Sequence, residues 1–233
     1  DQILVNSLEF KREMDRNFNI KTKCIFNPLN KHEIIKKSKK KNLNNVFYKK
    51  KNTLKLINIG RFTDQKDQIT LLRAAKILKP KIDFKLIIIG RGIEKNKLDK
   101  FILDNKLSKN VKILNFIENP FPLIKQSDIF LLSSKYEGLP NVLLEAVTLK
   151  KIVISSKCPT GPSEILLKGK GGFLFEVGNY RELANKIIFC KNNKKKVKNL
   201  TSNAYKSLYR YDYQINLEKY YSLINNFLIN YKL

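Results

Sequence analysis

The sequence predicts an α/β fold with a doubly wound, parallel, Rossmann-like sheet, and three observations support this prediction. Five short runs are almost continuously apolar, as expected for strands that are covered on both faces. Helical patterns separate these runs, and repeated strand–helix units of this length are typical of a parallel sheet. A chain of 233 residues, 42% of them hydrophobic, can bury a core of this size. The predicted strands are residues 54–59, 84–89, 111–116, 128–132 and 151–155.

The predicted helices fill the gaps between these strands. In residues 67–79, the apolar side chains of Leu71, Ala74, Ala75 and Leu78 recur at the i, i+3, i+4, i+7 spacing of one helix face. Residues 94–106, 140–148 and 179–190 are the other predicted helices of the sheet.

The two ends of the chain lie outside this alternation. Residues 2–6 predict a lone strand and residues 7–18 a helix, for which Ser7 is a suitable N-cap. Residues 36–52 contain eight lysines and no acid, a pattern typical of a solvated linker or loop. A long helix rich in Tyr, Leu and Ile is predicted over residues 214–231, after the basic run 191–198.

The charge of the chain is strongly positive, with 47 basic against 20 acidic residues and a net charge of +27. Only seven of the basic residues are arginine, the residue that nucleic-acid readers prefer for bidentate contacts. Lys, Asn and Ile are abundant together, as AT-rich coding would produce. The charge therefore indicates a basic surface and names no partner.

The scattered cysteines Cys24, Cys158 and Cys190 argue against a disulfide framework and suit a reducing compartment. With a single histidine, a structural zinc site is not expected. No apolar run approaches the roughly 18 residues of a membrane span, and no signal peptide is visible. The chain begins at Asp1 and its only methionine is Met14, so we expect a piece of a longer protein.

The loop after the first predicted strand combines a glycine with two cations. Gly60 permits close backbone approach, and Arg61 and Lys66 stand before the next predicted helix. Ligands of open parallel sheets bind at the carboxyl ends of the strands, and a helix N-terminus adds partial positive charge there. A phosphate group would suit this place; a solvent-exposed basic pair is the alternative in so basic a chain.

The loop after the second predicted strand begins like a dinucleotide-binding fingerprint, with Gly90, Arg91 and Gly92, but Lys95 stands where the third glycine belongs. This partial match predicts a tight strand-to-helix turn and disfavours an NAD-dependent dehydrogenase. No G-x-x-x-x-G-K-[ST] loop occurs, which excludes the common P-loop nucleotide hydrolases.

The segment SSKYEGLPNVLLEA after the fourth predicted strand combines a helix start with two acids. Pro140 is predicted as the first helical residue, so the N–H groups of Asn141 and Val142 would form a second anion site. Glu137 and Glu145 would repel a phosphate unless they bond a neutral group, for which sugar hydroxyls are candidates. A loop charge and an exposed helix residue are the alternatives. We favour the functional interpretation because Glu145 has apolar neighbours, among which an idle acid is costly.

Residues 60–178 resemble the donor-binding domain of retaining glycosyltransferases of glycosyltransferase family 4, which have two Rossmann-like domains in a GT-B fold. The resemblance spans more than half of the chain, and the flanks VNSLEFKREMDRNF and KCIFNPLN fit the family's crossing between its domains. The matching segments are GRFTDQK, IIIGRGIEK, VKILNF, SDIFLLSSKYEGLPNVLLEA with its E-x7-E pair, and GKGGFLFEVGN.

The resemblance implies catalytic roles for three residues: Arg61 and Lys66 neutralise the donor's diphosphate, and Glu137 engages the donor sugar. Glu145 is implied to hold the ribose hydroxyls. The implied contacts of the donor sugar and phosphates are Gly60, Gly138, Leu139, Pro140, Asn141 and Val142.

The resemblance further implies that the 115–117 turn contacts the base through Phe116 and Ile117, although Asn115 replaces a frequent glycine. No metal and no other cofactor is implied, because cations and helix N-termini stabilise the leaving nucleotide. The absence of a D-x-D motif agrees with this.

The resemblance implies that the chain is the C-terminal half of a GT-B fold, and it implies the following domain division. Residues 1–24 would be a remnant of the N-terminal acceptor domain and 25–52 an interdomain linker with the lysine-rich loop. Residues 53–210 would be the nucleotide-sugar-binding domain and 211–233 the helix that crosses back. With the acceptor domain missing, we expect residues 1–233 to bind donor weakly and to transfer little sugar.

The stretch CPTGPSEIL resembles transferases that build bacterial surface polysaccharides and lipid-linked oligosaccharides. The expected donor is a UDP-hexose or UDP-N-acetylhexosamine, and the expected acceptor is a saccharide or lipid-linked saccharide. Glu164 is either another donor contact or a helix-start acid favoured by the macrodipole, and we favour the second.

Two alternatives come from the positive charge. A nucleic-acid-binding module would interleave basic and aromatic residues on one face, as residues 205–221 partly do, and would bind DNA with steep salt sensitivity. Docking on an anionic membrane surface would place a cytoplasmic enzyme near a lipid-linked acceptor. We expect the protein to be cytoplasmic. Peripheral binding to the cytoplasmic face of the membrane would be compatible with glycosyl transfer.

Overall fold

The structure, a computed structural model, describes residues 2–40 and 52–230. Most of the predicted lysine-rich loop, residues 41–51, lies outside the described residues, as do Asp1 and residues 231–233.

The central sheet has six strands, all parallel, in the order β5-β4-β3-β6-β7-β8. Strand order reverses between β3 and β6, which is the topological switch point of a doubly wound sheet. The predicted fold class is therefore confirmed. The strands are β1 (Ile3–Val5), β2 (Thr22–Cys24), β3 (Leu54–Ile59), β4 (Phe84–Ile89), β5 (Val111–Leu114), β6 (Ile129–Leu132), β7 (Ile152–Ser156) and β8 (Phe173–Phe175).

Ten α-helices in the described ranges cover both faces of this sheet and both ends of the chain. They are α1 (Leu8–Phe18), α2 (Lys31–Ser38), α3 (Gln68–Leu78), α4 (Lys95–Asp104), α5 (Phe121–Gln126), α6 (Asn141–Thr148), α7 (Pro162–Ile165), α8 (Tyr180–Asn192), α9 (Lys194–Lys206) and α10 (Tyr213–Asn230).

The strands are apolar at almost every position because alternate side chains pack into two separate cores, one on each face of the sheet. Leu86 and Ile88 of β4 pack with α3, α4 and α8, whereas Ile87 and Ile89 pack with α2, α5 and α6. Since successive strand side chains point to opposite faces, a sheet covered on both faces needs an apolar residue at nearly every position.

Several elements of the sheet domain were not predicted as such, among them β8, α5 and α9. β8 lies in the segment GKGGFLFEVGN, where a run of three residues between glycines carries little strand signal. The basic run 191–198 contains the end of α8 and the start of α9, where lysines hide the helical pattern. Val197 and Ala204 are buried and lie seven residues apart, on one face of the helix, which is the signal that identifies α9.

The N-terminal prediction is confirmed at the level of its elements. β1 pairs in parallel with β2, and the Ser7 side chain accepts a hydrogen bond from the Phe10 N–H as the N-cap of α1. The predicted loop 36–52 begins later than expected, since residues 36–38 belong to α2.

Glu164 has a role that neither sequence interpretation anticipated. It is 8% exposed, and its Oε2 accepts hydrogen bonds from Leu8 N at 2.9 Å and Glu9 N at 3.3 Å. The carboxylate thus caps α1, 156 residues away in sequence, instead of serving only its own short helix. Glu164 therefore ties the N-terminal segment to the sheet domain.

Candidate functional site

The loops that follow β3 and β6 meet at the switch point, where doubly wound sheets bind ligands in a crevice outside the strand ends. These loops are joined directly: Lys135 N donates to Gln65 O at 2.8 Å, and Ser133 Oγ donates to Lys66 O at 2.8 Å. The carboxyl ends of adjacent parallel strands meet here, so residues far apart in sequence converge. The structure thereby brings together the segments in which Arg61, Lys66 and Glu137 were predicted to act.

Lys66 and Glu137 form an ion pair across the crevice. Lys66 Nζ lies 2.5 Å from Glu137 Oε1, and the two side chains are only 15% and 7% exposed. Ser134 Oγ donates to the same carboxylate oxygen at 2.5 Å, and Thr160 Oγ1 donates to the Glu137 carbonyl. The charge of Glu137 is therefore balanced by the cation that was expected beside the phosphate. The sequence analysis assigned no role to Ser134 or Thr160, although the E-x7-E block contains Ser134 and the stretch CPTGPSEIL contains Thr160.

Arg61 is the uncommitted cation of the crevice. Its side chain is exposed, and its single described polar contact is a long one of 3.5 Å to Gln65 Oε1. Its backbone is fixed, because the buried Gln68 side chain donates to Arg61 O at 2.8 Å. A rigid backbone with an unpaired guanidinium suits the binding of an external anion.

The N-terminus of α6 supplies a second set of donors. Pro140 occupies the cap position with extended backbone, so the helix begins at Asn141, one residue later than predicted. The first N–H groups of a helix have no partner within it, which keeps those of Asn141 and Val142 available. Buried Leu139 and Pro140 anchor this turn in the core.

Glu145 is the second acid of the pair and differs from Glu137 in its surroundings. It is half-buried on α6, and no side chain in the described residues bonds its carboxylate. Burial raises the pKa of Glu145 above its ordinary value of 4.5. A half-buried carboxylate without a partner can accept hydrogen bonds from hydroxyl groups of a ligand.

The predicted base turn follows β5. Phe116 is 62% exposed, whereas Ile117 packs against the core between the sheet and α5. The Arg91 guanidinium lies 5.4 Å from the Phe116 ring centroid, so these side chains stand together above the ends of β4 and β5. The ring of Phe116 is thus open to a ligand, and Ile117 is partly buried against the core. Arg91 was treated only as part of a turn; its position after the neighbouring strand is the signal that could have identified it.

Gly60 and Gly138 leave open space for a ligand, whereas Gly90 is needed for contact between two loops of the protein itself. A Cβ at Gly60 would meet no protein atom closer than 3.7 Å, and one at Gly138 none closer than 3.6 Å. A Cβ at Gly90 would lie 1.9 Å from Gly60 O. The missing side chain of Gly90 therefore lets the loops after β3 and β4 touch.

Gly161 fixes the loop that carries Glu137. It has φ +71°, and a Cβ there would lie 1.9 Å from Gly138 O and 2.7 Å from Pro140 Cδ. We expect Gly161→Ala to lower the free energy of unfolding by about 3 kcal/mol, through backbone strain and the clash. Gly178→Ala is the control, because its φ is +76° with no atom within 4 Å of a Cβ; it should cost about 1 kcal/mol. Urea unfolding measures both, and equal losses would contradict the clash.

Two searches of the described residues give negative findings. No group of three His, Cys, Asp or Glu side chains there is arranged to hold a metal ion. None of the described helices combines the length and apolar character that a membrane span requires.

Comparisons with known proteins agree with this architecture. The chain is 41% identical over 174 residues to an uncharacterized glycosyltransferase of Methanocaldococcus jannaschii, covering 71% of this chain and 42% of that protein. It is 30% identical over 182 residues to the Campylobacter jejuni N-acetylgalactosamine-N,N'-diacetylbacillosaminyl-diphospho-undecaprenol 4-alpha-N-acetylgalactosaminyltransferase, covering 77% of this chain and 47% of that one. The chain thus spans less than half of each relative.

Among solved structures, Anabaena HepE in complex with UDP matches with a TM-score of 0.83 and 23% identity, covering 97% of this chain and 64% of that chain. This likeness establishes the fold, which is that of GT-B glycosyltransferases. Residues 38–207 match the family described as "Glycosyl transferases group 1". The chain therefore belongs to the glycosyl transferases of group 1.

Proposed function

We propose that the crevice binds the diphosphate of a nucleotide sugar, and that the chain supplies the donor-binding half of a retaining glycosyltransferase of family 4. The observation that supports this most is that the loops with Arg61 and Lys66 meet the loop that leads into α6. Two acids lie in that part of the chain: Glu137 is paired with Lys66, and Glu145 has no partner among the described residues. The proposed acceptor is a saccharide or lipid-linked saccharide of surface polysaccharide synthesis.

The proposed role of the cations is to stabilise the leaving group. Transfer breaks the bond between the anomeric carbon and a diphosphate oxygen, so negative charge grows on the diphosphate. Arg61, Lys66 and the N–H groups of Asn141 and Val142 would be the donors that stabilise this charge. No metal ion is required in this proposal, so EDTA should leave nucleotide affinity unchanged.

The two acids would bind hydroxyl groups of the donor. Glu137, held by Lys66 and Ser134, is proposed to engage the sugar, because its pairing limits repulsion of the diphosphate. Glu145, unpaired among the described residues, is proposed to accept hydrogen bonds from the ribose hydroxyls. Phe116, beside Arg91, is proposed to contact the base.

The proposed donor is a UDP-hexose or UDP-N-acetylhexosamine. Two comparisons support this proposal. The HepE structure contains UDP, and the name of the C. jejuni relative describes an N-acetylgalactosaminyltransferase and a diphospho-undecaprenol compound.

Thermal-shift measurements with UDP, GDP and ADP test the donor class. We expect UDP alone to stabilise the protein, by about 2.7 kcal/mol at 100 times its Kd. Equal shifts with all three nucleotides would contradict selection of the base, and no shift with any would contradict nucleotide binding.

The alternative of a basic binding module without transferase activity is not favoured by the family match. The aromatic series in residues 205–221 also lacks the continuous surface that base stacking needs. Tyr211 is fully buried, with its ring 4.9 Å from that of Phe26.

A further inference from the structure

A second cavity lies at the opposite edge of the sheet, where β3, β6 and β7 begin. Its volume is about 1190 Å³, and the end of α8 and one side of α9 form its outer wall. Strands of four to six residues separate it from the nucleotide crevice by roughly 15–20 Å. This volume is larger than the roughly 300–1,000 Å³ of most small-molecule sites, so the cavity has room for a ligand of its own.

The wall of this cavity is strongly positive. Its acid is Asp128, whose Oδ2 accepts a hydrogen bond from Lys55 N at 2.8 Å. Against this one carboxylate stand six lysines: Lys55, Lys150, Lys151, Lys191, Lys194 and Lys198.

Four of these lysines remain available to a ligand. Lys151 Nζ is committed to two backbone carbonyls at 2.5 and 2.8 Å, and Lys150 Nζ lies 4.8 Å from the Tyr205 ring centroid. Within residues 2–40 and 52–230, none of the ion pairs involves the other four, which are Lys55, Lys191, Lys194 and Lys198. The positive charge of the wall is therefore largely uncompensated.

The start of α9 adds to this positive potential. Its first turn contains Lys194 and two further lysines, no acid, and no side-chain hydrogen bond from the cap residue Asn193. Cations at a helix N-terminus oppose the helix dipole, whereas an anion there is stabilised. The lysines of this first turn therefore oppose the helix dipole, and a bound anion would offset that repulsion.

We propose that this cavity binds a phosphate-bearing anion of at least two negative charges, separate from the nucleotide crevice. Lysine ammonium groups serve phosphates as point charges, and Lys194 and Lys198 reach the cavity from successive turns of α9. The phosphate belongs to a soluble diphosphate or to anionic lipid headgroups, and these two sources are separated by experiment. The proposal does not rest on glycosyl transfer.

The test compares two double variants with the same change in net charge. Lys194→Gln/Lys198→Gln removes exposed cations of the cavity, and Lys100→Gln/Lys112→Gln removes exposed cations elsewhere. In calorimetric titration with pyrophosphate, the cavity variant should bind about fivefold more weakly or worse, and the control like the unmodified chain. Any binding in the nucleotide crevice is common to both variants and cancels in the comparison.

Vesicles distinguish the source of the phosphate. Co-sedimentation with phosphatidylglycerol vesicles, absent with phosphatidylcholine, that is lost in the cavity variant but kept in the control would assign a lipid headgroup. A loss confined to pyrophosphate binding would assign a soluble ligand. If the two variants behave alike in both assays, or neither probe binds the unmodified chain, the proposal is wrong.

Discussion

Replacement of Lys66 by alanine should weaken UDP binding about 10- to 100-fold and lower the free energy of unfolding by about 2–3 kcal/mol. The binding loss follows from removal of one charge-assisted contact to the diphosphate. The stability loss follows because Glu137, 7% exposed, keeps its charge without its ion-pair partner. Calorimetric titration with UDP and urea unfolding measure the two effects.

Lys135→Ala is the matched control for this prediction. Lys135 Nζ lies 2.6 Å from Asp64 Oδ1 and links the same two loops, but the side chains are 41% and 76% exposed. Its removal should change stability much less, since exposed pairs contribute little, and should leave UDP affinity near its original value. Similar losses in both variants would show that loop linkage, rather than the crevice cation, determines binding.

A second substitution separates the two effects of Lys66→Ala. Adding Glu137→Gln removes the uncompensated charge and keeps a hydrogen-bond acceptor for Ser134 Oγ. Stability should largely return, whereas UDP affinity should stay low because the cation is still missing. Recovery of affinity together with stability would contradict a direct role of Lys66 at the diphosphate.

Replacement of Glu145 by glutamine should change stability and binding in opposite directions. Without nucleotide, the variant should be at least as stable at pH 7, because a half-buried carboxylate with no described partner disfavours the folded state. With UDP, most of the ligand-induced stabilisation should disappear, because two ribose hydroxyls lose a charged acceptor. Thermal unfolding with and without UDP measures both.

The pH dependence gives an independent check on Glu145. Because burial raises its pKa in the folded state, the folded protein binds this proton more tightly than the unfolded chain. Stability should therefore fall as the pH rises from about 4.5 through the raised pKa, and Glu145→Gln should remove that part of the slope. An unchanged slope would indicate that Glu145 is ionised in the fold without penalty.

The sheet could be predicted from the sequence because it imposes a repeated physical requirement. Strands covered on both faces must be apolar at nearly every position, as in β4, and the helices between them must carry one apolar face. β8 could not be predicted, because three residues are too few to show the alternation of a strand. In α9 the lysines obscured the spacing of Val197 and Ala204.

The candidate site was predictable in location but only partly in its interactions. The carboxyl ends of the strands fixed where Arg61, Lys66 and Glu137 would lie, and the cap at Pro140 differed by one residue. The Lys66–Glu137 pair and the cap that Glu164 provides for α1 join residues 71 and 156 positions apart. Such pairings depend on how loops meet in space, which spacing along one chain does not reveal.

A crystal structure of the chain with UDP tests the central claim most directly. We predict the diphosphate between Arg61, Lys66 and the N-terminus of α6, with the ribose hydroxyls on Glu145 and the base beside Phe116. Glu137 should remain within hydrogen-bond reach of Ser134 Oγ. UDP bound away from the carboxyl edge of β3 and β6, for example in the lysine-lined cavity where these strands begin, would contradict the account.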